Sequence, residues 1–365
     1  MRALRAMSKL ARPRELFTAN LTQVEGLGLP AAAARFIAEG NAHAAAVKEI
    51  ERIHEAGADF LTHDDVDYPE RLREIYDPPA VLWYRGDPKN LALAGIAVVG
   101  TRSPSPYGQT MAQMLSRDLA ARGLAIFSGM ARGVDTYAHN GALEAKGKTV
   151  AVWGTGIDVI YPKENKRLAE QILMNGGTLI TEYPLGTFPA PQNFPVRNRI
   201  LSGMSMGVLV VEAAEHSGTR ITARCAMEQN RDVYAVPGNV TNKNAWGPNT
   251  LIKQGARLTA TWEDIWEDLP SHVRMGLEEK LSGGIESKGG GAASLFPETV
   301  PGTPLSAVEM QVFERLKLDE SVQLDELIEA LEEKLPAPEI FNALFELEMA
   351  GRVRCLPGKN YLRTF

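Results

Sequence analysis

The sequence predicts an α/β protein: a doubly wound parallel sheet, with a helical segment before it and a small winged helix after it. Three observations lead there. Through the middle of the chain, short apolar runs alternate with loops rich in Gly, Pro and Ser and with helical stretches. A Gly- and Pro-rich stretch then separates this middle from a short tail, and the tail reads as three helices followed by a hairpin. A length of 365 residues suits two or three such domains.

Residues 1–64 are expected to form an N-terminal helical domain, with a helical pattern over 16–62. Apolar residues fall three and four apart in "AAAARFIAEG" and "AAAVKEIERIHEAG". "VEGLGLPAAAARFI" sets Gly26-Leu27-Gly28 ahead of a helix. That is the look of a helix-hairpin-helix turn, whose backbone N–H groups can meet a phosphate, or of a plain helix–helix turn. The basic start "MRALRAMSKLARPREL" lacks an apolar h-region and a cleavage site, so a frayed, partly helical tail is expected.

Residues 65–270 carry six apolar runs: "IAVVG" (96–100), "LAIFSG" (124–129), "VAVWG" (150–154), "TLITE" (178–182), "GVLVVE" (207–212) and "VYAVPG" (233–238). Apolar on both faces, they read as buried parallel strands. Ligands of such sheets bind at the carboxyl ends of the strands, so the loops after these runs are the expected functional surface. Residues 271–304, with "GGIESKGGGAASLFPETVPGTP", are a flexible linker by composition. Residues 305–365 hold "SAVEMQVFERLK", "QLDELIEALEEK" and "APEIFNALFELEMAG", then "GRVRCLPGKNYLRTF", a hairpin turning at Pro357-Gly358.

Composition excludes several classes. Cys225 and Cys355 are the two cysteines, too few for a disulfide framework or a cysteine metal cluster, and they point to a reducing cytosol. No apolar run approaches the roughly 20 residues of a membrane span. A net charge of −6 argues against non-specific DNA binding. The middle domain balances 21 Lys+Arg against 21 Asp+Glu, so a basic site there must be local. The tail is acidic, with 7 Lys+Arg against 12 Asp+Glu. Its would-be recognition helix, Pro338 to Met349, carries Glu339, Glu346 and Glu348 and no basic residue. This is the wrong sign for reading DNA and suits protein binding or packing. Arg352, Arg354, Lys359 and Arg363 leave DNA contact by the wing open.

The strand-end loops collect cations. "GTRSPSPYG" lacks the G-x-G-x-x-G of a dinucleotide fold, and Pro104 and Pro106 remove two backbone donors, so Arg102, helped by Thr101 and Ser103, is the anion-holding candidate. "SGMARGVDTYAH" offers Arg132 to the cleft, with Asp135 placed to complement a helix start and His139 read as structural. "GTGIDVIYPKEN" offers Lys163, and "PGNVTNKNAWGPNTLIKQGA" leads to Lys253. "FPVRNRILSG" places Arg197 and Arg199 in the first two turns of a helix begun at Pro195. Cations there oppose the macrodipole by roughly 0.3–1 kcal/mol, and a bound phosphate would reverse that balance. Phe194 beside them can stack on a base. Internal pairing of Arg197 or Arg199 with Glu182 or Glu212, with Phe194 in the core, is the alternative. Asp135, Asp158, Glu182 and Glu212 are candidate acids, but none is paired for acid–base work, and no P-loop, nucleophile elbow or H-E-x-x-H motif occurs. No catalytic residue and no metal ligand is assigned.

In order along residues 65–270, "SGMARGVDTYAHNGAL", "AVWGTGIDVIYPKEN", "TEYPLGTFPAPQNFPVRNRILSG", "VVEAAEHSGTRITA", "AVPG" and "LIKQGA" resemble the DNA-processing protein A family (DprA, also called Smf). The tail is similar to that family's winged-helix module, and the N-terminal helices to its sterile-alpha-motif-like (SAM-like) domain. The resemblance implies an extended Rossmann-like domain without a bound cofactor. It implies a cytoplasmic, non-enzymatic protein that binds and protects incoming single-stranded DNA and loads the RecA recombinase in natural transformation, as a homodimer formed through that domain. It also implies a DNA site of Arg102, Lys163, Phe194, Arg197, Arg199 and Lys253, with Arg132 and Asn198 added. Where the family usually shows G-S-R, this chain has Gly100-Thr101-Arg102. Where S-G-S-L-I-T-A is common, it has "SGTRITA", with Arg220 at an apolar position.

Two rivals remain in view. A nucleotide-processing enzyme of the phosphoribohydrolase kind would show P-G-G-x-G-T-x-x-E, whereas "EHSGTRITA" lacks the glycine pair and the glutamate. A protein-interaction scaffold would suit the acidic tail but leave the cationic loops without a role.

Overall fold

The computed structural model describes residues 2–10, 12–283, 306–316, 322–331, 335–349, 352–356 and 360–363. They fall into two compact units, one ending at Ser287 and the other beginning at Lys288.

The six apolar runs are strands of the first unit: β3 (Gly95–Val99), β4 (Ala125–Ser128), β5 (Thr149–Trp153), β6 (Thr178–Thr181), β7 (Gly207–Val210) and β8 (Asp232–Ala235). With β1 (Asp59–Thr62), β2 (Val81–Gly86) and β9 (Arg257–Leu258) they form one sheet in the order β1-β2-β6-β5-β4-β3-β7-β8-β9. From β6 to β9 every pairing is parallel, while β1 and β2 form an antiparallel edge.

Alternation along each strand builds two cores. Ala97 and Val99 of β3 pack on one face with Ile200, Leu201, Ala223, Ala226 and Leu251. These belong to the helices Asn193–Met204, Thr219–Glu228 and Trp246–Lys253. Ile96 and Val98 pack on the other face with Leu115 and Leu119 of the helix Pro106–Ala121 and Ala138 and Ala142 of the helix Val134–Glu144. Each aliphatic side chain so enclosed contributes roughly 1.5–3 kcal/mol. The chain therefore winds outward from β3 along one face to β6, crosses back to β7, and continues along the other face. This is the doubly wound fold, and its switch point lies between β3 and β7.

Two segment boundaries differ from expectation. Residues 59–62, assigned to the N-terminal helical segment, are a sheet strand, because Leu61 is buried against the core beside Leu82. Residues 271–283, assigned to the linker, form a helix whose Leu277 is buried with Leu119 and Leu269. The Gly-rich stretch that follows lies outside the described residues.

In the second unit, the helices Ala307–Arg315, Leu324–Leu331 and Ala337–Met349 enclose Val312, Leu327, Ile340, Leu344 and Leu347. Strands β10 (Val322–Gln323), β11 (Val353–Leu356) and β12 (Asn360–Arg363) complete a winged helix in the order β10-β12-β11. The turn expected at Pro357-Gly358 lies outside the described residues. Of the wing cations, Arg363 sits with its guanidinium 4.1 Å from the ring centroid of Phe313.

Candidate nucleic-acid interface

At the switch point the helices after β3 and β7 leave on opposite faces, so the loops above them diverge. A cleft of about 1080 Å3 opens there. Its walls come from Thr101 and Arg102 after β3, Phe194 and Asn198 on the helix after β6, Ser217 and Thr219 after β7, and Lys243 and Trp246 after β8.

The loop after β3 is held by a buried carboxylate. Glu212 accepts from Ser105 N at 2.8 Å and Ser105 Oγ at 2.5 Å. It accepts more weakly from Asn242 Nδ2 at 3.4 Å and Asn244 Nδ2 at 3.5 Å. Ser105 in turn caps the helix Pro106–Ala121, accepting from Gly108 N at 3.2 Å. Glu212 thus fastens the loops after β3, β7 and β8 together. Arg102 projects from the fastened loop. It is exposed, makes no ion pair among the described residues, and its guanidinium lies 5.8 Å from the ring centroid of Phe194.

Arg197 does something other than wait for a phosphate. It is 4 % exposed. Its Nη1 donates to Gly129 O at 2.8 Å and to Val152 O, and its Nε donates to Asn198 Oδ1 at 3.2 Å. It thus joins the carboxyl ends of β4 and β5 to the helix that carries it. A Cβ at position 129 would lie 2.5 Å from Nη2 of Arg197, so a larger residue there would displace the guanidinium. Below it Asp135 accepts from Gly129 N at 3.1 Å and Ala131 N at 3.2 Å. Met130 between them, buried and at φ 58°, takes a left-handed conformation unusual for a non-glycine residue. Burial pushes the Asp135 carboxyl up to about 6, against the opposing pull of Arg197 and of the two N–H groups. Burial likewise pulls Arg197 down to about 10, partly offset by Asp135. The guanidinium therefore remains charged at neutral pH. His139 is fully buried with Nδ1 2.7 Å from Thr149 Oγ1, and burial lowers it to about 3, so it stays neutral.

Arg199 is forked onto Glu182, with both N–O distances 2.7 Å, and its Nε lies 3.6 Å from Asp77. The two arginines expected to hook phosphates thus make their contacts inside the protein, although Arg197 also lines the cleft. Two positions apart on a helix, they point to different sides and find different acceptors. For Arg199 the internal pairing with Glu182 is the arrangement present. The carboxylates of Asp135 and Glu182 compensate these cations near the helix start.

Phe194 is half-buried and stands against Tyr161, with ring centroids 5.5 Å apart at 42°. Its floor is Gly154, where a Cβ would approach within 3.0 Å of the ring. Beside it a small pocket is lined by Arg102, Gly129, Ala131, Arg132, Tyr161 and Pro162. Arg132 is exposed and touches the exposed Glu164, an ion pair of a kind worth little in water. Lys163 is exposed, next to Pro162 of that pocket, with no ion pair among the described residues. Asn198 lines the main cleft.

Lys253, like Arg199, stands away from the cleft lining. It ends the helix that Trp246 begins, roughly 10 Å further along the axis, and it does not line the cleft. Lys243, Trp246 and Tyr161 take cleft positions that sequence reasoning passed over. Their signal was available, since each comes before or at the start of the helix that follows a strand, whereas Lys253 ends such a helix. Among the described residues no group of three or more His, Cys, Asp or Glu is placed to hold a metal ion, and no helix is long and apolar enough to cross a membrane.

Comparison with known proteins agrees with this architecture. The family model described as DNA recombination-mediator protein A matches residues 59–270, beginning at the first residue of β1, and that of the DprA winged helix domain matches residues 296–359. Protein Smf of Escherichia coli K12 is 39 % identical over 304 residues, covering 83 % of this chain and 77 % of its own. DNA processing protein DprA of Streptococcus pneumoniae R6 is 40 % identical over 253 residues, covering 69 % and 86 %. The X-ray structure of DprA from Streptococcus pneumoniae superimposes with a TM-score of 0.65 at 34 % identity, over 74 % of this chain and 93 % of that one. DNA processing protein A from Helicobacter pylori, solved for its single-stranded DNA binding mode, superimposes with a TM-score of 0.52 at 28 % identity, over 61 % and 96 %.

Proposed function

This chain belongs to the DNA recombination-mediator protein A (DprA/Smf) family, and from that premise we propose that it binds single-stranded DNA at the carboxyl edge of its sheet. In this reading it protects the incoming strand and passes it to RecA during DNA uptake, acting in the cytoplasm as a homodimer formed through the Rossmann-like domain. The observation that carries the DNA step is the pairing of Arg102 with Phe194 at the cleft. A cation without an ion pair among the described residues stands beside a ring held in place by Tyr161, a phosphate contact next to a base-stacking surface. The proposed contact set is Arg102, Phe194, Asn198, Arg132 and Lys163. Arg197 and Arg199 shape the site from within. Contacts to phosphates and ring faces read little sequence, so preference among bases is slight.

A non-catalytic role is supported by how the four candidate acids are engaged. Asp135 accepts two backbone N–H groups, Glu212 holds Ser105, Glu182 holds Arg199, and Asp158 accepts from Gly186 N at 2.8 and 3.0 Å. Release of free base from a nucleotide by the purified protein would refute this part.

The test is fluorescence anisotropy with oligo-dT and a matched duplex across a salt series. Single strands bind more tightly than duplex. Arg102→Ala makes the logarithmic salt slope shallower by about 0.7, one phosphate's worth. Phe194→Ala weakens binding by about 1–3 kcal/mol without changing the slope. Full affinity in both folded variants would move the DNA elsewhere. RecA filament growth on a single strand coated with a competing binding protein, with and without this protein, tests the hand-over.

A further inference from the structure

The cleft extends well past Phe194. Its volume of about 1080 Å3 lies at the top of the roughly 300–1,000 Å3 range of pockets that take one drug-sized ligand, so one nucleotide leaves part of it unfilled. On the far flank of the β3–β7 seam stands Trp246, 38 % exposed and lining the same cleft. Its mount is rigid: Gly247 N donates to Ala213 O at 2.8 Å, and Ala213 N to Asn244 O at 2.7 Å. The backbone around the indole is thereby tied to the end of β7. Arg220 lies with its guanidinium 5.2 Å from the indole centroid and donates Nη1 to Glu215 O at 2.9 Å. Lys243, exposed on the same wall, makes no ion pair among the described residues. A mounted aromatic face, a cation against it and an unpaired lysine beside it repeat the chemistry of Phe194 and Arg102.

We propose that Trp246 is a second base-stacking position, with Arg220 orienting the indole and Lys243 meeting a phosphate of the same strand. The inference rests on the single-stranded DNA reading above. The strand then crosses the seam with one base on Phe194 and a later one on Trp246, and the protein holds it at two points instead of one.

The experiment uses the full chain and oligo-dT, with intrinsic tryptophan fluorescence and anisotropy read together. Wild-type emission is quenched on DNA addition. Trp246→Phe, which keeps a ring, loses the Trp246 share of the quenching and binds within about threefold of wild type, whereas Trp246→Ala binds about tenfold more weakly at an unchanged salt slope. Lys243→Ala has a slope shallower by about 0.7. If Trp246→Phe is quenched as wild type is, no base reaches the indole and the inference fails, whether or not the alanine variant folds. If Trp246→Ala binds as wild type while Phe194→Ala is weakened, the second position is likewise refuted and the first stands. If wild type binds no oligonucleotide, the DNA reading falls and this inference with it.

Discussion

Replacing Arg197 by Met tests the central structural argument. The substitution keeps the unbranched apolar stem and removes the donors. Gly129 O and Val152 O lose the guanidinium, and hydrogen bonds to charged groups are worth about 1.5–3 kcal/mol each. Asp135 at the same time loses the cation that partly offsets its burial, and removing one partner of a buried charge pair typically costs about 3–5 kcal/mol. These two accounts overlap, so the expected loss is roughly 3–5 kcal/mol. Urea unfolding at pH 7 reads it as a lower midpoint at unchanged m. The proposed contact set leaves Arg197 out, so the salt slope for oligo-dT is expected to stay at the wild-type value, measured on folded protein. Arg197→Lys falls between, since an ammonium lacks the separate Nε donor that holds Asn198 Oδ1 while Nη1 serves both carbonyls. A variant as stable as wild type whose slope is shallower by about 0.7 would refute the reasoning and place the side chain on DNA.

Three further outcomes follow from the same geometry. Arg199→Ala leaves Glu182 without its bidentate partner and lowers stability by about 3–5 kcal/mol while the salt slope is retained; a shallower slope would return Arg199 to the contact set. The folded Asp135 carboxyl, raised to about 6 from 3.8, keeps its proton over a range where the unfolded chain has lost it. Its contribution to stability therefore falls as pH rises through that range, and in urea titrations at pH 4 and 7 Asp135→Asn gains on wild type by roughly 2 kcal/mol at the higher pH. A gap that does not change with pH would remove the raised pKa. Lys253→Ala binds oligo-dT with wild-type affinity and slope, and a weaker complex would show that the DNA path runs beyond the cleft.

How much of this was legible depended on burial. Strands β3 to β8 are enclosed on both faces, so each writes a continuous apolar run into the chain. β2 sits near the sheet edge with its residues mostly half-buried, and β9 has two exposed residues, so neither shows that run. "VLWYRG" nevertheless carries the β-branched and aromatic residues of a strand. In the site, Arg102 and Phe194 could be placed from strand ends alone. Whether a cation is unpaired could not. Arg197 finds its acceptors 68 and 45 residues away, and Arg199 finds Glu182 17 residues back. Such pairings are made by the sheet order and leave no periodic trace. Lys253 was misplaced because a loop and the helix after it were read as one stretch.

Glu212 carries a consequence for how this protein tolerates change. One carboxylate anchors both Ser105, which fixes the arm bearing Arg102, and Asn242 and Asn244, which bracket Lys243. The two flanks of the seam therefore share a fastening, and a substitution that loosens one arm alters the context in which the other is judged. Changes in the two loops will combine non-additively, so a variant harmless in one background becomes damaging in another. The freedom of these loops to diverge is limited less by what they touch in a ligand than by the single acid beneath them.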